Sequence, residues 1–247
     1  MRAKLYSLSL SHPSHAARLM LERKGIEYEL VDELPGFHPL QLRLAGFRGG
    51  TVPALKIEGR RVQGSREIAR ALDEIQPEPR LLPLDPERRR AVVEAERWGE
   101  QVLQPVPRRM FRWGATRSQT VRRWVAADVV GMPAPTVMAA ANLPVAWAMA
   151  RKCGAGDDTV RADAASLPDL LDRVDRLIAD GTIGGPEPNA ADYQIAPTVR
   201  VLLAYEDLRP ALEVRPAAEL AMRLLPSYPE PIPSFLPIEW LAAAGAR

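Results

Sequence analysis

The sequence predicts an α/β domain in residues 1–78 and an all-helical domain in residues 87–247, joined by a linker over residues 79–86. Strand-like and helix-like segments alternate at the beginning of the chain, whereas apolar residues recur with helical spacing after the linker. Four prolines in the stretch QPEPRLLPLDP mark the change between the two patterns.

The first segments predict a strand, a helix and a second strand. Residues 3–9 are rich in strand formers, and the helix of residues 13–24 begins at a proline and stops at Gly25. Residues 26–31 read as the second strand. A connection this short, with a helix in it, favours a parallel pair with a right-handed crossover.

The rest of the α/β domain predicts a short helix, a hairpin and a longer helix. The short helix lies near Pro39–Ala45, within an otherwise irregular stretch. ALKI and RRVQ are two strands joined by a Glu58-Gly59 turn. The helix of GSREIARALDEI follows, and we expect Ser65 to be its N-cap.

The second domain is predicted to be helical throughout. Asp85 is suited to cap its first helix. A second helix is expected over residues 166–181, with Ser166 and Asp169 as a capping-box pair. The proline-rich tail, PSYPEPIPSFLPIEW, is expected to run extended over the surface.

Composition excludes several classes of protein. The 33 Lys and Arg nearly balance the 31 Asp and Glu, which is too even for a dedicated nucleic-acid binder. Cys153 is the only cysteine, and the three histidines lack zinc-site spacing, so no metal is expected. No signal peptide or membrane span is evident, and a cytoplasmic protein is expected.

The tetrad Ser11-His12-Pro13-Ser14 begins the first helix. Hydroxyls there meet unpaired N–H groups and the positive end of the helix dipole, so simple capping explains them. Alternatively, the tetrad has the spacing of a C-x-P-C redox site with oxygen in place of sulfur, and holds a foreign thiolate. A hydrolase dyad of Ser11 with His12 or His15 is disfavoured, since the chain lacks a G-x-S-x-G motif and since adjacent helical residues such as Ser11 and His12 do not face each other.

A second motif, Thr51-Val52-Pro53, precedes the third strand. A trans proline starting a strand is the ordinary interpretation. A cis bond at Pro53 would instead leave the N–H and C=O of Val52 free to pair with a peptide ligand.

A third motif, Gln63-Gly64-Ser65-Arg66, begins the next helix. Its hydroxyl and backbone N–H groups suit a ligand carboxylate, although an ordinary N-cap is the simpler alternative.

A fourth motif lies in the helical domain, where Asn189 precedes a helical run by one residue. Asn189 is predicted to cap that run while Asp192 reaches back to it. Pro197 falls inside the same helix, where a proline costs about 3 kcal/mol.

In this order, the four motifs resemble the cytosolic glutathione transferases. The resemblance covers residues 3–76 well and residues 85–206 in outline. It implies a thioredoxin-like α/β domain followed by an all-α domain, with glutathione as co-substrate. Detoxification is a role that this resemblance suggests.

The resemblance assigns roles within the tetrad and the third motif. Ser11 is expected to face the glutathione sulfur, with Ser14, His12 and His15 as rivals because the proline stands one place late. The γ-glutamyl carboxylate would lie at Ser65. Many members carry Glu or Gln where this chain has Gly64, and Gln63 is a possible substitute. The glutathione contacts implied are Thr51, Val52, Pro53, Gln63, Gly64, Ser65 and Arg66.

The electrophile is expected between the domains, beside apolar side chains whose alternative role is core packing. Three arginines of the RRMFRW segment face either an anionic ligand or solvent. The predicted electrophile contacts are Leu10, Phe37, Trp98, Val102, Met110, Phe111 and Trp113.

The expected activity is transfer of the glutathione thiol to a small hydrophobic electrophile. Alternatives are a non-catalytic ligand-binding or protein-docking role, a different low-molecular-weight thiol, and an isomerase of the zeta kind. A homodimer is expected, with neither nucleic acid nor membrane as a partner.

Overall fold

A computed structural model describes residues 3–245 and divides the chain into two compact units. The first contains the residues up to Glu100 together with Leu177–Pro197, and the second contains Gln101–Arg176 and the residues from Thr198 onward. The domain boundary expected at residues 79–86 stays a prediction.

A four-stranded sheet in the order β2-β1-β3-β4 lies in the first unit. Strand β1 pairs parallel with β2 and antiparallel with β3, which pairs antiparallel with β4. Glu58 and Gly59 both have positive φ, as the tight turn of a hairpin requires. The predicted parallel pairing of the first two strands and the predicted hairpin are thereby confirmed. The strands are β1 Ala3–Ser7, β2 Tyr28–Asp32, β3 Ala54–Ile57 and β4 Arg60–Gln63.

Helices of the first unit begin and end close to the predicted residues. Gly25 has a φ of 64° just beyond α1, which a residue without Cβ adopts at no cost. Asp85 Oδ1 accepts a hydrogen bond of 2.8 Å from Arg88 N, which confirms the predicted cap of α4. The helices are α1 His12–Arg23, α2 His38–Leu44, α3 Ser65–Ile75 and α4 Pro86–Trp98.

The remainder of the described chain is largely helical, and the predicted fold class is confirmed. π-Helical turns lie at Gly99–Leu103 and Val125–Val129. The helices are α5 Pro105–Arg117, α6 Gln119–Trp124, α7 Pro135–Ala141, α8 Leu143–Lys152, α9 Asp157–Ala179, α10 Ala190–Ala204, α11 Arg209–Leu212, α12 Pro216–Leu224 and α13 Ile238–Ala243.

Two predicted N-caps are wrong. Ser65 is the first residue of α3, and Gly64, with a φ of 92°, occupies the cap position. Helix α9 begins at Asp157, so Ser166 lies in its interior and cannot cap it with Asp169. The Ser166 hydroxyl donates instead to Asp163 C=O at 2.8 Å, as interior serines do when they bond the preceding turn.

The tail is irregular from Pro226 to Pro237 and is tied down by a bridge between Tyr205 and Ile232. Helix α13 follows it, so the prediction of an extended chain is wrong for residues 238–240, which are helical. Within residues 3–245, no helix is both long and apolar enough to cross a membrane. The same residues contain no group of three or more His, Cys, Asp or Glu placed to hold a metal ion.

Candidate functional site

Ser11 lies where β1 has ended and α1 begins. It is the N-cap of α1, and its Oγ accepts a hydrogen bond of 2.9 Å from the Ser14 hydroxyl. Ser14 is fully buried, whereas Ser11 is partly exposed. Because the Ser11 oxygen already accepts from Ser14, its own proton is directed elsewhere. Ser11 is therefore the hydroxyl that can donate to a ligand.

The two histidines of this segment are buried. Nε2 of His15 lies 2.8 Å from Ser9 C=O and ties the loop before α1 to its first turn. His12 is 5% exposed in the same turn. The first turn of α1 contains no acidic residue, so the positive end of its dipole is not neutralised from within the helix. This polarity favours an anion, such as a thiolate, beside Ser11.

The loop before β3 contains the predicted cis peptide bond between Val52 and Pro53. Pro53 C=O accepts from Gly64 N at 3.0 Å, which joins this loop to the beginning of α3. Thr51 is exposed and Val52 is partly exposed. Within residues 3–245, the backbone N–H and C=O of Val52 take part in no hydrogen bond. They remain available to an extended peptide.

Gln63 holds this loop in place. Its Oε1 accepts from Gly49 N at 2.8 Å, and its Nε2 donates to Gly49 C=O at 3.0 Å and to Thr51 C=O at 3.2 Å. A Cβ at Gly49 would lie 2.9 Å from Gln63 Oε1, so a larger residue there would displace the amide of Gln63. The amide of Gln63 is thus occupied by the loop. Its suggested role in place of the family's Glu or Gln stays a prediction.

Ser65 and Arg66 at the start of α3 both have side-chain partners in the same unit. Ser65 is 4% exposed, and its hydroxyl donates to Gln194 Oε1 at 2.7 Å. Arg66 is paired with Glu96 at 3.3 Å and Glu100 at 3.0 Å. Burial opposes the charge of Arg66, but these carboxylates raise its pKa above the usual value. The groups left for a ligand carboxylate here are backbone N–H groups of the first turn.

Glu67 adds a negative charge at the same place. Its Oε2 lies 2.6 Å from the position that a Cβ at Gly64 would occupy. The carboxylate of Glu67 therefore fills the space of the side chain that Gly64 lacks. Beside the N–H groups of α3, this arrangement suits a zwitterion, which presents both a carboxylate and an ammonium group.

The predicted electrophile contacts divide between surface and core. In the first unit, Phe37 is 66% exposed and Trp98 is buried, while Leu10 is partly exposed. In the second unit, Val102 is exposed and Phe111 is partly exposed. Met110 and Trp113 are buried there, and the Trp113 ring lies 5.0 Å from that of Trp240. Their role as substrate contacts stays a prediction.

The predicted capping box of α10 is confirmed. Asn189 Oδ1 accepts from Ala191 N at 2.9 Å, and Asp192 Oδ2 accepts from Asn189 N at 2.9 Å. Asp192 Oδ1 also accepts from Gly184 N at 2.6 Å. Gln194, two residues further along, was not singled out from the sequence, and because the whole of α10 is buried, no local signal marks it.

Comparison with known proteins agrees with this architecture. Residues 5–80 match the family described as glutathione S-transferase, N-terminal domain. The maleylacetoacetate isomerase of Rattus norvegicus is 36% identical over 101 residues, which cover 36% of this chain and 43% of the relative. The chain thus spans less than half the length of the curated relatives that it matches.

Solved structures are similar over nearly the whole chain. A glutathione S-transferase from Rhodospirillum rubrum is 21% identical with a TM-score of 0.59, covering 98% of this chain and 99% of that one. Rice GST1 in complex with glutathione is 19% identical with a TM-score of 0.62, covering 93% and 91%. The chain has the glutathione transferase fold, and its residues 5–80 match the glutathione S-transferase N-terminal domain. The resemblance to the glutathione transferase superfamily is confirmed.

Proposed function

We propose that this protein binds glutathione on its first unit and activates the thiol for reaction with a small electrophile. The observation that carries the proposal is the Ser11 hydroxyl at the N-terminus of α1, partly exposed and already accepting from Ser14. Its proton can point to a sulfur placed outside the helix. Ser11 then stabilises the thiolate and is not itself the nucleophile.

The Ser11 hydroxyl and the dipole of α1 can together supply the free energy needed to lower the pKa of the glutathione thiol. A free cysteine thiol has a pKa near 8.5, and lowering it by about two units takes about 2.7 kcal/mol. A hydrogen bond to a charged acceptor contributes about 1.5–3 kcal/mol, and a helix N-terminus adds about 0.3–1 kcal/mol. One hydroxyl and one helix dipole therefore suffice to make the thiolate abundant at neutral pH.

The rest of glutathione has complementary groups on the same unit. The unpaired N–H and C=O of Val52 suit the cysteinyl backbone, which is an extended peptide. The zwitterionic γ-glutamyl end suits the N–H groups of α3 together with the carboxylate of Glu67.

A glutathione-dependent isomerase is the second candidate. The relatives at 36% and 38% identity are maleylacetoacetate isomerases, and the matched segments are 101 and 99 residues long. In an isomerase the thiolate adds to an activated double bond and is later eliminated, so the same Ser11 would serve both reactions. We further propose a cytoplasmic homodimer, which sedimentation against the 27.3 kDa monomer mass tests.

The proposal is tested by titrating the thiolate absorbance of bound glutathione in the wild type, Ser11→Ala and Ser14→Ala. We expect Ser11→Ala to raise the thiol pKa and lower turnover about tenfold for each 1.4 kcal/mol lost, with nearly unchanged affinity. A shift in Ser14→Ala alone would transfer the role to Ser14. Absence of glutathione binding in the wild type would refute the proposal and favour a docking or carrier protein.

A further inference from the structure

The second unit contains a long segment without acidic residues. Between Asp128 and Asp157 the chain has only two charged side chains, Arg151 and Lys152, and both lie at the end of α8. The residues before them, 129–150, include all of α7 and most of α8 and are almost entirely apolar. A soluble protein usually keeps a segment of this composition out of contact with water.

Helices α7 and α8 nevertheless expose large apolar side chains. Val137 on α7 is 66% exposed, and Val145 and Trp147 on α8 are 48% and 45% exposed. The buried residues of the two helices are the small Ala139 and Ala150. Single exposed apolar residues are common, but these three lie on consecutive helices with no charged side chain between them. We call the exposed sides of the two helices, with Val137, Val145 and Trp147, the α7–α8 surface.

Helical spacing places two cations at one end of this surface. Arg151 follows Trp147 by one turn of α8. Lys152 follows Val145 by two turns, so each cation shares a side of the helix with an exposed apolar residue. Both cations are exposed, and among the residues that the structure describes neither side chain makes a hydrogen bond or an ion pair. The exposed side of α8 is therefore apolar at its beginning and cationic at its end.

Trp147 lies between the apolar and the cationic parts of α8. The guanidinium of Arg117 lies 5.6 Å from the centroid of its ring and pairs with Asp157 at 2.5 Å. Because Asp157 is already paired, it does not neutralise the cations at the end of α8. An indole with apolar side chains on one side and cations on the other matches the boundary between the acyl chains and the headgroups of a bilayer.

We propose that the α7–α8 surface docks on a lipid bilayer with anionic headgroups. The side chains of Val137, Val145 and Trp147 enter the boundary of the acyl chains. Arg151 and Lys152 contact the lipid phosphates. A second copy of the chain is a less suitable occupant, because the same surface on that copy offers no carboxylate to these cations.

This mode of binding does not require a membrane-spanning helix. From the sequence a membrane was not expected as a partner, because no segment is long enough to span one, but a surface helix does not need to span it. The inference goes beyond the proposed function, since binding to lipid needs neither glutathione nor its site.

The cationic part is tested by flotation of the full chain with vesicles of phosphatidylcholine, with or without about one quarter phosphatidylglycerol. We expect the wild type to bind the anionic vesicles about tenfold or more tightly than the neutral ones, and less tightly at high salt. The double variant Arg151→Gln, Lys152→Gln should lose most of this difference. The control is Arg88→Gln, Arg90→Gln, at two exposed arginines of the first unit, which should keep it.

The apolar part is tested by Val137→Asp together with Val145→Asp. We expect this double variant to bind anionic vesicles at least about tenfold more weakly than the wild type, because its new charges would enter the acyl boundary. Val214→Asp, at a valine that is 82% exposed outside this surface, should bind as the wild type does. No binding by the wild type, or equal binding by the double variant, would overturn the inference.

Quenching by lipids with brominated acyl chains locates the contact without any change in charge. We expect quenching of tryptophan fluorescence in the wild type and its loss in Trp147→Phe, since Trp98, Trp113 and Trp124 are buried. Unchanged quenching in Trp147→Phe would mean that another region meets the bilayer, and would overturn the inference. This measurement decides the matter even if the variants with two aspartates fail to fold.

Sedimentation distinguishes a bilayer from a second copy of the chain. The variant Val137→Asp, Val145→Asp should keep the oligomeric state of the wild type, because the proposed occupant of the surface is lipid. If this folded variant instead loses a dimer that the wild type forms, the α7–α8 surface is a contact between subunits and the inference is overturned.

Discussion

The side-chain hydroxyl of Ser65 on α3 donates a hydrogen bond of 2.7 Å to Oε1 of Gln194 on α10. Both residues are buried, at 4% and 3% exposure, although 129 positions separate them in the chain. The hydroxyl that the sequence assigns to a ligand carboxylate is thus committed to the protein itself. Backbone N–H groups are then the main donors left at the start of α3.

Ser65→Ala should destabilise the protein as well as weaken glutathione binding. The substitution leaves the buried Gln194 oxygen without the hydroxyl donor, which costs about 1–3 kcal/mol. We expect a lower urea midpoint together with a higher KM for glutathione and a nearly unchanged kcat. Ser227→Ala, at an exposed serine, is the control. An unchanged midpoint with a raised KM would show that the hydroxyl turns from Gln194 to the ligand.

Gln63→Met should weaken glutathione binding without changing the chemical step. The amide of Gln63 fixes the loop that presents Val52, and contacts of Val52 would be equal in ground and transition states. We expect KM for glutathione to rise by an amount equivalent to about 1–2 kcal/mol, with kcat unchanged. Gln119→Met, at an exposed glutamine, is the control.

Gly49→Ala tests the same contact from the other side, because its new Cβ would lie 2.9 Å from Gln63 Oε1. It should raise KM as Gln63→Met does, and the double variant should be less than additive. Additive effects would mean that the amide of Gln63 does not act through this loop.

Substitutions in the capping box of α10 should separate its two members. Asn189→Ala loses a cap and should cost about 1 kcal/mol of unfolding free energy. Asp192→Ala removes a charged acceptor of two backbone N–H groups, from Gly184 and Asn189, and should cost about 2–3 kcal/mol. Urea denaturation measures both, with exposed Glu187→Ala as the control. Equal losses of unfolding free energy in the two variants would contradict the larger contribution expected from the buried Asp192 carboxylate.

Local signals account for what the sequence predicted correctly. The Glu58-Gly59 turn, the Gly25 stop and the Asp85 cap each depend on residues close together in the chain. The Asn189–Asp192 box has the same character, since its bonds join residues two or three positions apart. Turns and helix caps of this kind can be predicted from a few consecutive residues of the sequence.

Long-range partners account for what the sequence missed. No sequence feature near Ser65 predicts its hydrogen bond to Gln194. Likewise, none near Gln63 predicts that its side-chain amide binds the backbone of Gly49. Ser166 has the composition of a cap, but α9 begins at Asp157 and continues through it. Tertiary packing decided these cases, and the resemblance to a family supplied the site roles that local pattern could not.

The buried carboxyl of Glu33 should lower the stability of the folded protein as pH rises. It is 4% exposed, its Oε2 has no hydrogen-bond partner, and burial, with a smaller contribution from Asp32, raises the pKa of its carboxyl. A raised pKa in the folded state favours the protonated form. The destabilisation is therefore absent below the unfolded value of 4.5 and grows as pH rises through the folded pKa.

Glu33→Gln should remove this dependence. We expect the variant to gain stability relative to the wild type between about pH 4.5 and 7 in urea denaturation, while exposed Glu27→Gln stays parallel to the wild type. A constant difference at every pH would contradict the raised pKa.

The carboxylate of Glu230, in the second unit, should give the stability of the folded protein the opposite pH dependence. Its carboxylate pairs with Arg200 at 2.8 Å and Arg209 at 2.5 Å, and the Arg200 side chain is fully buried. The hydrogen bond from Arg200 is the main cause that lowers the pKa of Glu230. A lowered pKa contributes stability above the unfolded value of 4.5, and that stability is lost as pH falls through the folded pKa.

Glu230→Gln should therefore cost most at neutral pH. Removing the charge leaves Arg200 buried without its counter-ion, and we expect a loss of about 2–4 kcal/mol at pH 7 that shrinks as the pH approaches 3. Glu213→Gln, at an exposed carboxylate of the same unit, should change stability by less than about 1 kcal/mol at either pH. Urea midpoints at pH 7 and pH 3 decide the matter, because an equal loss at both would mean that Glu230 acts by packing and not by its charge.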